Sequence, residues 1–497
     1  MQDLKEKTIR GGVARLCAQV ATLLLRVGAI ALLARLLSPK DFGLVGMVTA
    51  FTGVLAWFRD FGLSSAAIQR TIVTEEQIST LFWINILFGA LLAVVAIAMA
   101  PAIAAFYGDP RLFGVTTVLA LGFLFNGAGV QHSALLQRQM RFTALAVISV
   151  VSLIVGAAIA IGGAEAGYGY WALVAMSVTS PLIATLGFWL STWWIPGMPK
   201  RRAGIRTMMH FGGALTLNGL IAYVAYNADK VMIGRFWGAD AIGIYGRAYQ
   251  LVNIPTDNMN SAVGEVAFSA LSRLQDDSIR FKSYFLKGFS LVLGLGLPIT
   301  IACALFADDV VFVLLGPNWT DAVAIVRLLA PTIVIFAIIN PLGWLIYSIG
   351  LVARSLKIAL VFAPLMITGC VIGLPYGPKG VAFAYSAVMT LWVIPHILWC
   401  VHRTPISPRD ILIAVSRPLA SGIVAGGLAV GVRLMCPQSV SPVIRFVLES
   451  SALLVTFFGV LLFVTGQKSL YLDLVRGLKR PSSDAGNISA WARIKRT

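Results

Sequence analysis

Long apolar runs alternate with short polar turns along the whole chain. A helix that spans a bilayer needs about 20 consecutive, mostly apolar residues. The pattern predicts about fourteen such helices, at 12–37, 41–67, 79–105, 112–136, 142–163, 168–195, 207–235, 240–271, 283–306, 320–348, 353–374, 379–401, 409–434 and 443–465. We therefore expect an all-α polytopic membrane protein.

One short sequence occurs twice. ARLLSPKDFGLVG at 34–46 returns as GRFWGADAIGIYG at 234–246. The two copies match at one arginine and two glycines in the same register: Arg35 with Arg235, Gly43 with Gly243, and Gly46 with Gly246. Each copy joins the first two segments of a half that contains six segments. This arrangement indicates an internal duplication, which is common in transporters.

The duplication predicts the organisation of the chain. We expect an N-terminal lobe at 1–200, a C-terminal lobe at 201–404, and two further helices within 405–466. Residues 467–497 are polar and basic, and we expect a short amphipathic helix on the cytoplasmic membrane surface followed by a disordered tail. No cleavable signal is expected, because the first apolar run is too long for one.

Composition supports a membrane protein. The chain has 497 residues, of which 58% are hydrophobic and 12% are charged, and its mean hydropathy is +0.85. Soluble domains carry about 25% charged residues. The five cysteines form no CxxC pair and mostly lie inside apolar runs. We interpret them as small packing residues.

The net charge of +18 does not indicate nucleic acid as a partner. The cations lie in small clusters at segment ends, mainly in alternate turns, with Lys5, Arg138, Lys200 and Arg280 on one side and few on the other. This asymmetry is the positive-inside rule. It places both termini in the cytoplasm, as an even number of helices requires.

No catalytic or metal-binding motif occurs in the sequence. GxSxG, HExxH and the phosphate-binding GxxxxGK[ST] are missing, and the four histidines are scattered. We expect neither an enzyme nor a bound cofactor or metal.

Charged residues inside the predicted helices are the candidate functional groups. A charge at the bilayer centre is costly, so such residues usually face a bundle interior or a wet cavity. The cations expected to line a substrate cavity are Arg26, Arg59, Arg247, Arg327 and Lys230. The carboxylates expected to compensate them or to couple transport to an ion are Asp60, Asp229 and Glu265. Guanidinium groups hold phosphate oxygens bidentately, so the excess of cations favours an anionic, phosphate-bearing cargo.

Other interpretations of these charges stay open. Arg59 and Asp60 are neighbours, as are Asp229 and Lys230, so each pair can be self-compensating. Arg35 and Arg235 lie at helix ends and can anchor the protein at the outer headgroups. Glu265 and Glu449 are alternatives as proton carriers.

Four stretches together resemble a known family: ARLLSPKDFGLVGMVTAFTGVLAWFRDFGLSSAAIQR, LLQRQMRF, GYGYWALV and NADKVMIGRFWGADAIGIYGRAYQ. They are similar to the polysaccharide flippases of the multidrug/oligosaccharidyl-lipid/polysaccharide (MOP) superfamily, in the branch of colanic acid, succinoglycan and lipopolysaccharide exporters. The resemblance covers nearly the whole chain.

The resemblance implies two six-helix lobes related by a pseudo-two-fold axis, two additional helices, and a central cationic cavity. It also implies a location in the bacterial inner membrane. The cargo would be an oligosaccharide on undecaprenyl pyrophosphate, moved to the periplasmic leaflet by alternating access. Polysaccharide polymerase and export proteins are the implied partners, besides membrane lipids. The family has no shared catalytic set, and Glu265 stands where an uncharged residue is expected.

Two alternatives belong to other functional classes. Cation-coupled efflux of small drugs would favour buried carboxylates over several arginines, so the charge balance argues against it. A membrane-embedded polysaccharide polymerase or ligase usually needs a sizeable loop outside the membrane, and the predicted outer turns are short.

Overall fold

The computed structural model describes residues 21–58, 74–200, 206–436 and 440–468. Over these ranges the chain forms helices and no strand. The helices are α1 (21–36), α2 (Pro39–Ala56), α3 (Glu75–Tyr107), α4 (Arg111–Arg138), α5 (Phe142–Glu165), α6 (Tyr170–Thr192), α7 (Arg206–Arg273), α8 (Ser278–Leu305), α9 (Ala307–Leu314), α10 (Ala322–Leu329), α11 (Pro331–Ser348), α12 (Val352–Gly373), α13 (Gly377–Val401), α14 (Pro408–Met435) and α15 (Pro442–Gly459).

The helices follow the fourteen predicted segments, and most bounds differ by a few residues. The segments predicted at 142–163 and 409–434, for example, are Phe142–Glu165 and Pro408–Met435. Within the described residues, nine helical stretches are long and apolar enough to cross a membrane. The predicted fold class, an all-α polytopic membrane protein, is confirmed. The predicted surface helix and tail after Gln467 lie almost entirely outside the described residues.

One predicted segment, 320–348, is interrupted. It consists of the short helix α10 and the helix α11, which are separated at Ala330. Pro331 is the first residue of α11, where its missing N–H breaks no hydrogen bond within the helix.

Helix starts carry local signals that the sequence explains. Ser38 caps α2 in a capping box: its hydroxyl and backbone N–H both bond to the carboxylate of Asp41, and Pro39 occupies the first helical position. The same arrangement begins α14, with Ser407, Pro408 and Asp410. Each box satisfies backbone donors that a helix start leaves unpaired.

Helix α7 is two helical arms, 206–237 and 239–273, joined at Gly238. Gly238 has φ 81° and ψ −173°, a conformation that side chains with a Cβ rarely adopt. Residue 238 is the equivalent of Ser38 when the duplicated motifs are aligned. Both copies of the motif therefore turn at the same position, one with a capping serine and the other with a glycine.

By its internal contacts the chain divides into two compact units. Unit 1 comprises Met1–Val252, Val310–Leu329 and Ala353–Trp392, and unit 2 comprises Asn253–Asp309, Ala330–Val352 and Val393–Thr497. Unit 1 is built mainly on the packing of α3 with α4, α5 with α6, and α4 with α6. In unit 2, α8 packs with α11 and α14, and α14 packs with α15. The lobe boundaries at 200 and 404 are a different division and stay a prediction.

The two copies of the duplicated motif contact each other within unit 1. A Cβ atom built on Gly43 would lie 1.8 Å from the carbonyl oxygen of Ala239, and one on Gly243 would lie 1.9 Å from that of Pro39. Residues 39 and 43 are the equivalents of 239 and 243, so the contact is reciprocal, as in a two-fold interface. The absence of a Cβ at both glycines lets the two backbones approach this closely.

Further contacts cross between the halves beside this one. The indole Nε1 of Trp319 donates to the carbonyl oxygen of Ala34 over 2.7 Å, and Arg35 Nη2 donates to that of Val313 over 3.0 Å. In the second copy, the guanidinium of Arg235 lies 5.6 Å from the centre of the Phe106 ring. The first copy thus contacts the end of α9 and the chain just after it, whereas the second contacts the end of α3. These contacts, all within unit 1, lie where the positive-inside rule predicts the outer membrane surface.

Candidate functional site

A buried carboxylate lies near the hinge of α7. Asp229 is 1% exposed. Tyr245, on the returning arm, donates its hydroxyl proton to Asp229 Oδ2 over 2.6 Å, and the backbone N–H of Lys230 donates to Oδ1 over 2.8 Å. The turn at Gly238 brings these residues together, because it folds the second arm back along the first. An intramembrane carboxylate held in this way is a functional candidate.

Lys230 extends this polar group. Its ammonium donates to Asn227 Oδ1 over 2.7 Å and lies 4.1 Å from the centre of the Tyr249 ring. The hydroxyls of Tyr249 and Tyr385 are 3.2 Å apart. The ammonium is therefore stabilised by an amide oxygen and by an aromatic face. The sequence allowed Asp229 and Lys230 to compensate each other, and the structure adds Tyr245, Asn227 and Tyr249 as further partners.

Arg247 has neutral surroundings. The guanidinium lies 4.3 Å from the centre of the Phe42 ring and donates to Gln250 Oε1. No carboxylate oxygen within the described ranges lies at ion-pair distance from it. Arg247 is half-buried, so its positive charge is partly desolvated. A partly desolvated guanidinium without a counter-ion is suited to binding an anion from outside the protein.

Arg26 is exposed, and it lies on the side of α1 that packs against the rest of unit 1. Helical geometry places residues 26, 29, 33 and 37 on one stripe. Ala29, Leu33 and Leu37 on this stripe are buried, whereas Arg26 is exposed. On the opposite side, Leu24 and Leu32 are exposed, as expected of a lipid-facing surface. The stripe that carries Arg26 therefore continues from packed core into open space.

The remaining predicted residues are less informative. Arg327 lies on α10 opposite the buried face formed by Ala322, Ile325 and Leu329, and it is exposed. Arg59 and Asp60 lie outside the described residues, and so does the side chain of Glu265. The structure thus brings Asp229 and Lys230 together in one network and describes Arg26, Arg247 and Arg327 individually.

Sequence analysis missed the aromatic partners of the charges. Tyr245 and Tyr249 are four residues apart on one helix face, and they meet Asp229 and Lys230, which lie one after the other on the first arm. The spacing of the two tyrosines was the available signal. Tyr385, on α13, could not be placed by any local pattern.

A separate cavity of about 270 Å³ lies between α4 and α6. Its lining is uncharged, with Asn126, Ser133, Gln137 and Thr185 as polar members. None of the predicted charged residues lines it, so this cavity is not the predicted cationic chamber. Nor do the described residues contain a group of three His, Cys, Asp or Glu that could hold a metal ion.

Comparison with known proteins identifies the family. The family described as "Polysaccharide biosynthesis protein" matches residues 32–324, which is more than half of the chain. The chain belongs to this family. The matched region includes both copies of the duplicated motif, the α7 hinge and Arg247. The resemblance to polysaccharide flippases, stated from the sequence, is confirmed.

Curated relatives of this family member have names from polysaccharide synthesis. The chain is 25% identical over 377 residues to the lipopolysaccharide biosynthesis protein WzxC of Escherichia coli, covering 75% of this chain and 76% of the relative. It is 31% identical to the teichuronic acid biosynthesis protein TuaB of Bacillus subtilis, over 59% and 61% of the two chains. It is 24% identical to the succinoglycan biosynthesis transport protein ExoT of Rhizobium meliloti, over 94% and 96%.

Solved structures share the fold. The lipid II flippase MurJ in an inward closed conformation superposes with a TM-score of 0.71 at 14% identity, covering 94% of this chain and all of that one. An inward-facing multidrug MATE transporter of the MOP superfamily gives a TM-score of 0.63 at 16% identity, covering 79% and 97%. At these identities the likeness shows the fold alone. It supports the all-α membrane fold predicted from the apolar segments.

Proposed function

We propose that the protein is a flippase that translocates lipid-linked oligosaccharide repeat units across the bacterial inner membrane for the synthesis of a surface polysaccharide. The family and the relatives, which are named for lipopolysaccharide, teichuronic acid and succinoglycan synthesis, support this activity. The protein acts as a transporter, and no catalytic chemistry is part of the proposal.

The observation that carries the proposal is the environment of Arg247. Phe42 and Gln250 stabilise its charge without neutralising it. A pyrophosphate that reached this guanidinium would form charge-assisted hydrogen bonds, each stronger than a bond between neutral groups. Arg26, exposed on the unit-facing stripe of α1, and Lys230 are the further cations that we propose for headgroup binding. Arg59 and Arg327 complete the proposed set from the sequence.

Asp229 is proposed to balance this positive site and to hold Lys230 in place. Tyr245 and the Lys230 backbone already donate to its two oxygens. Asp60 and Glu265 are proposed to act similarly, as compensating or ion-coupling carboxylates. We further propose lobes at 1–200 and 201–404, cytoplasmic termini, and polymerase and export proteins as partners.

Replacement of Arg247 tests the proposal. Arg247→Ala should lower polymer export by about tenfold or more, since a hydrogen bond to a charged group contributes about 1.5–3 kcal/mol and about 1.4 kcal/mol corresponds to tenfold. Arg247→Lys should retain part of the activity, because it keeps the charge without the bidentate fork. Export is measured as surface polysaccharide in a strain that carries only the variant.

The matched control is Arg111→Ala. Arg111 is an arginine already paired with Asp109, over 2.6 Å, so its loss should leave export unchanged. Membrane levels of all variants are measured by immunoblotting. If Arg247→Ala exports normally at a normal membrane level, Arg247 is not part of the substrate site.

The alternative function, cation-coupled drug efflux, predicts a different phenotype. The MATE structures share the fold, but the uncompensated cation at Arg247 disfavours a cationic drug. Deletion of the gene should therefore leave drug sensitivity unchanged while surface polysaccharide is lost. Increased sensitivity to cationic drugs, with normal polysaccharide, would favour the efflux function instead.

A further inference from the structure

Five charged residues cluster at one end of unit 2, away from the residues considered above. They lie where α8 ends and α9 begins, in the last turn of α14, and in the first half of α15. The cluster consists of Asp308 and Asp309 on α9, Arg433 on α14, and Arg445 and Glu449 on α15.

Four of these residues form two ion pairs. Arg433 Nη2 lies 3.0 Å from Asp308 Oδ2, in a pair that is partly exposed on both sides. Arg445 binds Asp309 through Nε and Nη2, and its Nε lies 3.1 Å from Oδ1 and 3.0 Å from Oδ2. Asp309 is fully buried. Each arginine is paired with an aspartate, so Glu449 is the carboxyl group of the cluster with which neither arginine forms an ion pair.

Glu449 has no exposed surface, and neither of its carboxyl oxygens has a hydrogen-bond partner among the described residues. It lies one helical turn after Arg445 and begins a stripe with Leu453, Phe457 and Leu461, spaced every four residues along α15 and the π-helical turn Val460–Val464 that follows it. The three apolar members pack in one buried cluster with Leu297 and Phe306. Glu449 is therefore placed between the ion pairs and a dry apolar seam.

An ionised carboxylate in this position would be expensive. A buried charge without a partner costs several kcal/mol, and a buried carboxyl group usually avoids this cost by binding a proton. A metal ion would need several converging oxygen ligands, and the described residues contain no such group. A proton needs only the Glu449 carboxyl group itself, and binding it removes the buried negative charge.

We propose that Glu449 is a proton-binding site, occupied in the conformation seen here, and that its proton moves to Asp309 when Arg445 transfers from Asp309 to Glu449. The two residues are four apart on one helix, a spacing at which side chains reach each other. In this exchange the O–H bond of Glu449 breaks, its electron pair stays on the Glu449 carboxylate, and the proton forms a new O–H bond on Asp309, which is fully buried and would otherwise be left ionised without Arg445. Asp308, Asp309, Arg433 and Arg445 are the charged groups that face the site.

The consequence is a link between protonation and the attachment of α15 to the rest of unit 2. With the proton on Glu449, Arg445 ties α15 to Asp309 at the start of α9. With the proton on Asp309, Arg445 is bound within its own helix and the tie is lost. This inference does not depend on the proposed flippase activity, and it is tested on purified protein without any transport measurement.

Infrared spectroscopy of the purified full-length protein in lipid detects the proton directly. A protonated carboxylic acid has a C=O stretching band that an ionised carboxylate lacks. At neutral pH this band should be present in the unmodified protein and lost in Glu449→Gln. The matched control is Glu76→Gln, which removes an exposed glutamate paired with Lys200 and should leave the band unchanged.

A second variant tests the exchange of partners. Asp309→Asn deprives Arg445 of its counter-ion, so Arg445 should turn to Glu449 and ionise it. The acid band should then be lost although Glu449 is still present. A band that persists in Asp309→Asn would overturn the exchange, and a band that persists in Glu449→Gln would overturn the site.

Thermal stability provides a measurement that does not depend on the infrared assignment. The unfolded chain exposes a glutamate that is ionised at neutral pH, whereas the folded protein keeps it protonated. Folding then takes up one proton, so this contribution to stability falls as pH rises. Glu449→Gln should melt at least as high as the unmodified protein at neutral pH and lose this part of the pH dependence. A lower melting temperature for this neutral isostere would contradict the proposal.

Discussion

The hydrogen bond from Tyr245 to Asp229 joins the two arms of α7 inside the membrane-embedded part of the fold. A buried acceptor that loses its donor retains the full cost of desolvation. Since both residues are almost completely buried, no water is at hand to replace the hydroxyl. The pair therefore fixes the hinge geometry at Gly238 as well as the position of the adjacent Lys230.

Removal of the Tyr245 hydroxyl should destabilise the protein. Tyr245→Phe should lower the free energy of unfolding by about 1–3 kcal/mol, because a charged acceptor is left underbonded. Tyr385→Phe, which breaks a contact between two neutral hydroxyls, should cost less. Melting temperatures of purified protein in one detergent compare the two.

A double-mutant cycle controls for lost packing. In Asp229→Asn the acceptor is neutral, so the further effect of Tyr245→Phe should be smaller in that background. Equal effects of Tyr245→Phe in both backgrounds would mean that the hydrogen bond to a carboxylate does not stabilise the hinge.

Sequence reasoning reached the charges but not their partners. The rarity of charge in apolar segments was enough to select Asp229, Lys230 and Arg247. Their aromatic partners could not be selected in the same way, because aromatic residues are common throughout membrane helices. Phe42 reaches Arg247 only through the contact between the two halves, across about two hundred residues of sequence.

At the scale of helices, the duplicated glycines determine how closely α2 and the second arm of α7 approach. A methyl group at position 43 or 243 would overlap a backbone carbonyl oxygen. Backbone atoms cannot rotate away as a side chain can. The two helices would have to separate, and this would disturb the neighbouring hydrogen bonds of Trp319 and Arg35.

Gly43→Ala and Gly243→Ala should each destabilise the protein by about 1–3 kcal/mol or more, the usual cost of overpacking. The control is Gly246→Ala, a third glycine of the same motif, whose added Cβ would have nothing within 4 Å. In a helix this change removes backbone freedom from the unfolded chain, so it should be neutral or stabilising by about 0.5–1 kcal/mol. Melting temperature and membrane yield are the measurements. Similar losses for all three alanine variants would contradict the close-contact explanation.

Helix positions were predictable because a spanning helix needs a long apolar run and a polar turn at each end. Those two requirements predicted an interruption between the segments 207–235 and 240–271, and the structure places the hinge at Gly238 inside that gap. The break at Ala330 was not predicted, since the sequence is apolar on both sides of it and Pro331 is equally compatible with a kink inside one helix.

For the whole molecule, the duplication seen in the sequence has a physical counterpart. Equivalent residues meet as reciprocal pairs, and Trp319 and Arg35 add hydrogen bonds across the same region. The offset of two hundred residues predicted that the halves are equivalent, but it could not predict that the repeated motifs themselves touch. That contact depends on long-range packing, which a repeat in the sequence does not specify.

If transport proceeds by alternating access, the reciprocal contact must open in the outward-facing state. Trp319 is fully buried and its indole donor is engaged. Trp319→Phe keeps an aromatic ring but removes one hydrogen bond, which contributes about 0.5–1.5 kcal/mol. The open state should then gain population by about 2- to 10-fold.

The opening can be followed by labelling a cysteine at Met47 with a membrane-impermeant maleimide applied from outside, in a protein whose native cysteines are replaced. Met47 is buried beside Gly234 of the second copy, so it reacts only when the halves separate. Trp319→Phe should speed this labelling. The control, Trp189→Phe, removes an equivalent indole hydrogen bond to Ala128, away from the contact between the halves, and should not. Because both variants lose the same type of bond, equal labelling rates would mean that the reciprocal contact stays closed during transport, and the opening would have to be sought elsewhere in the bundle.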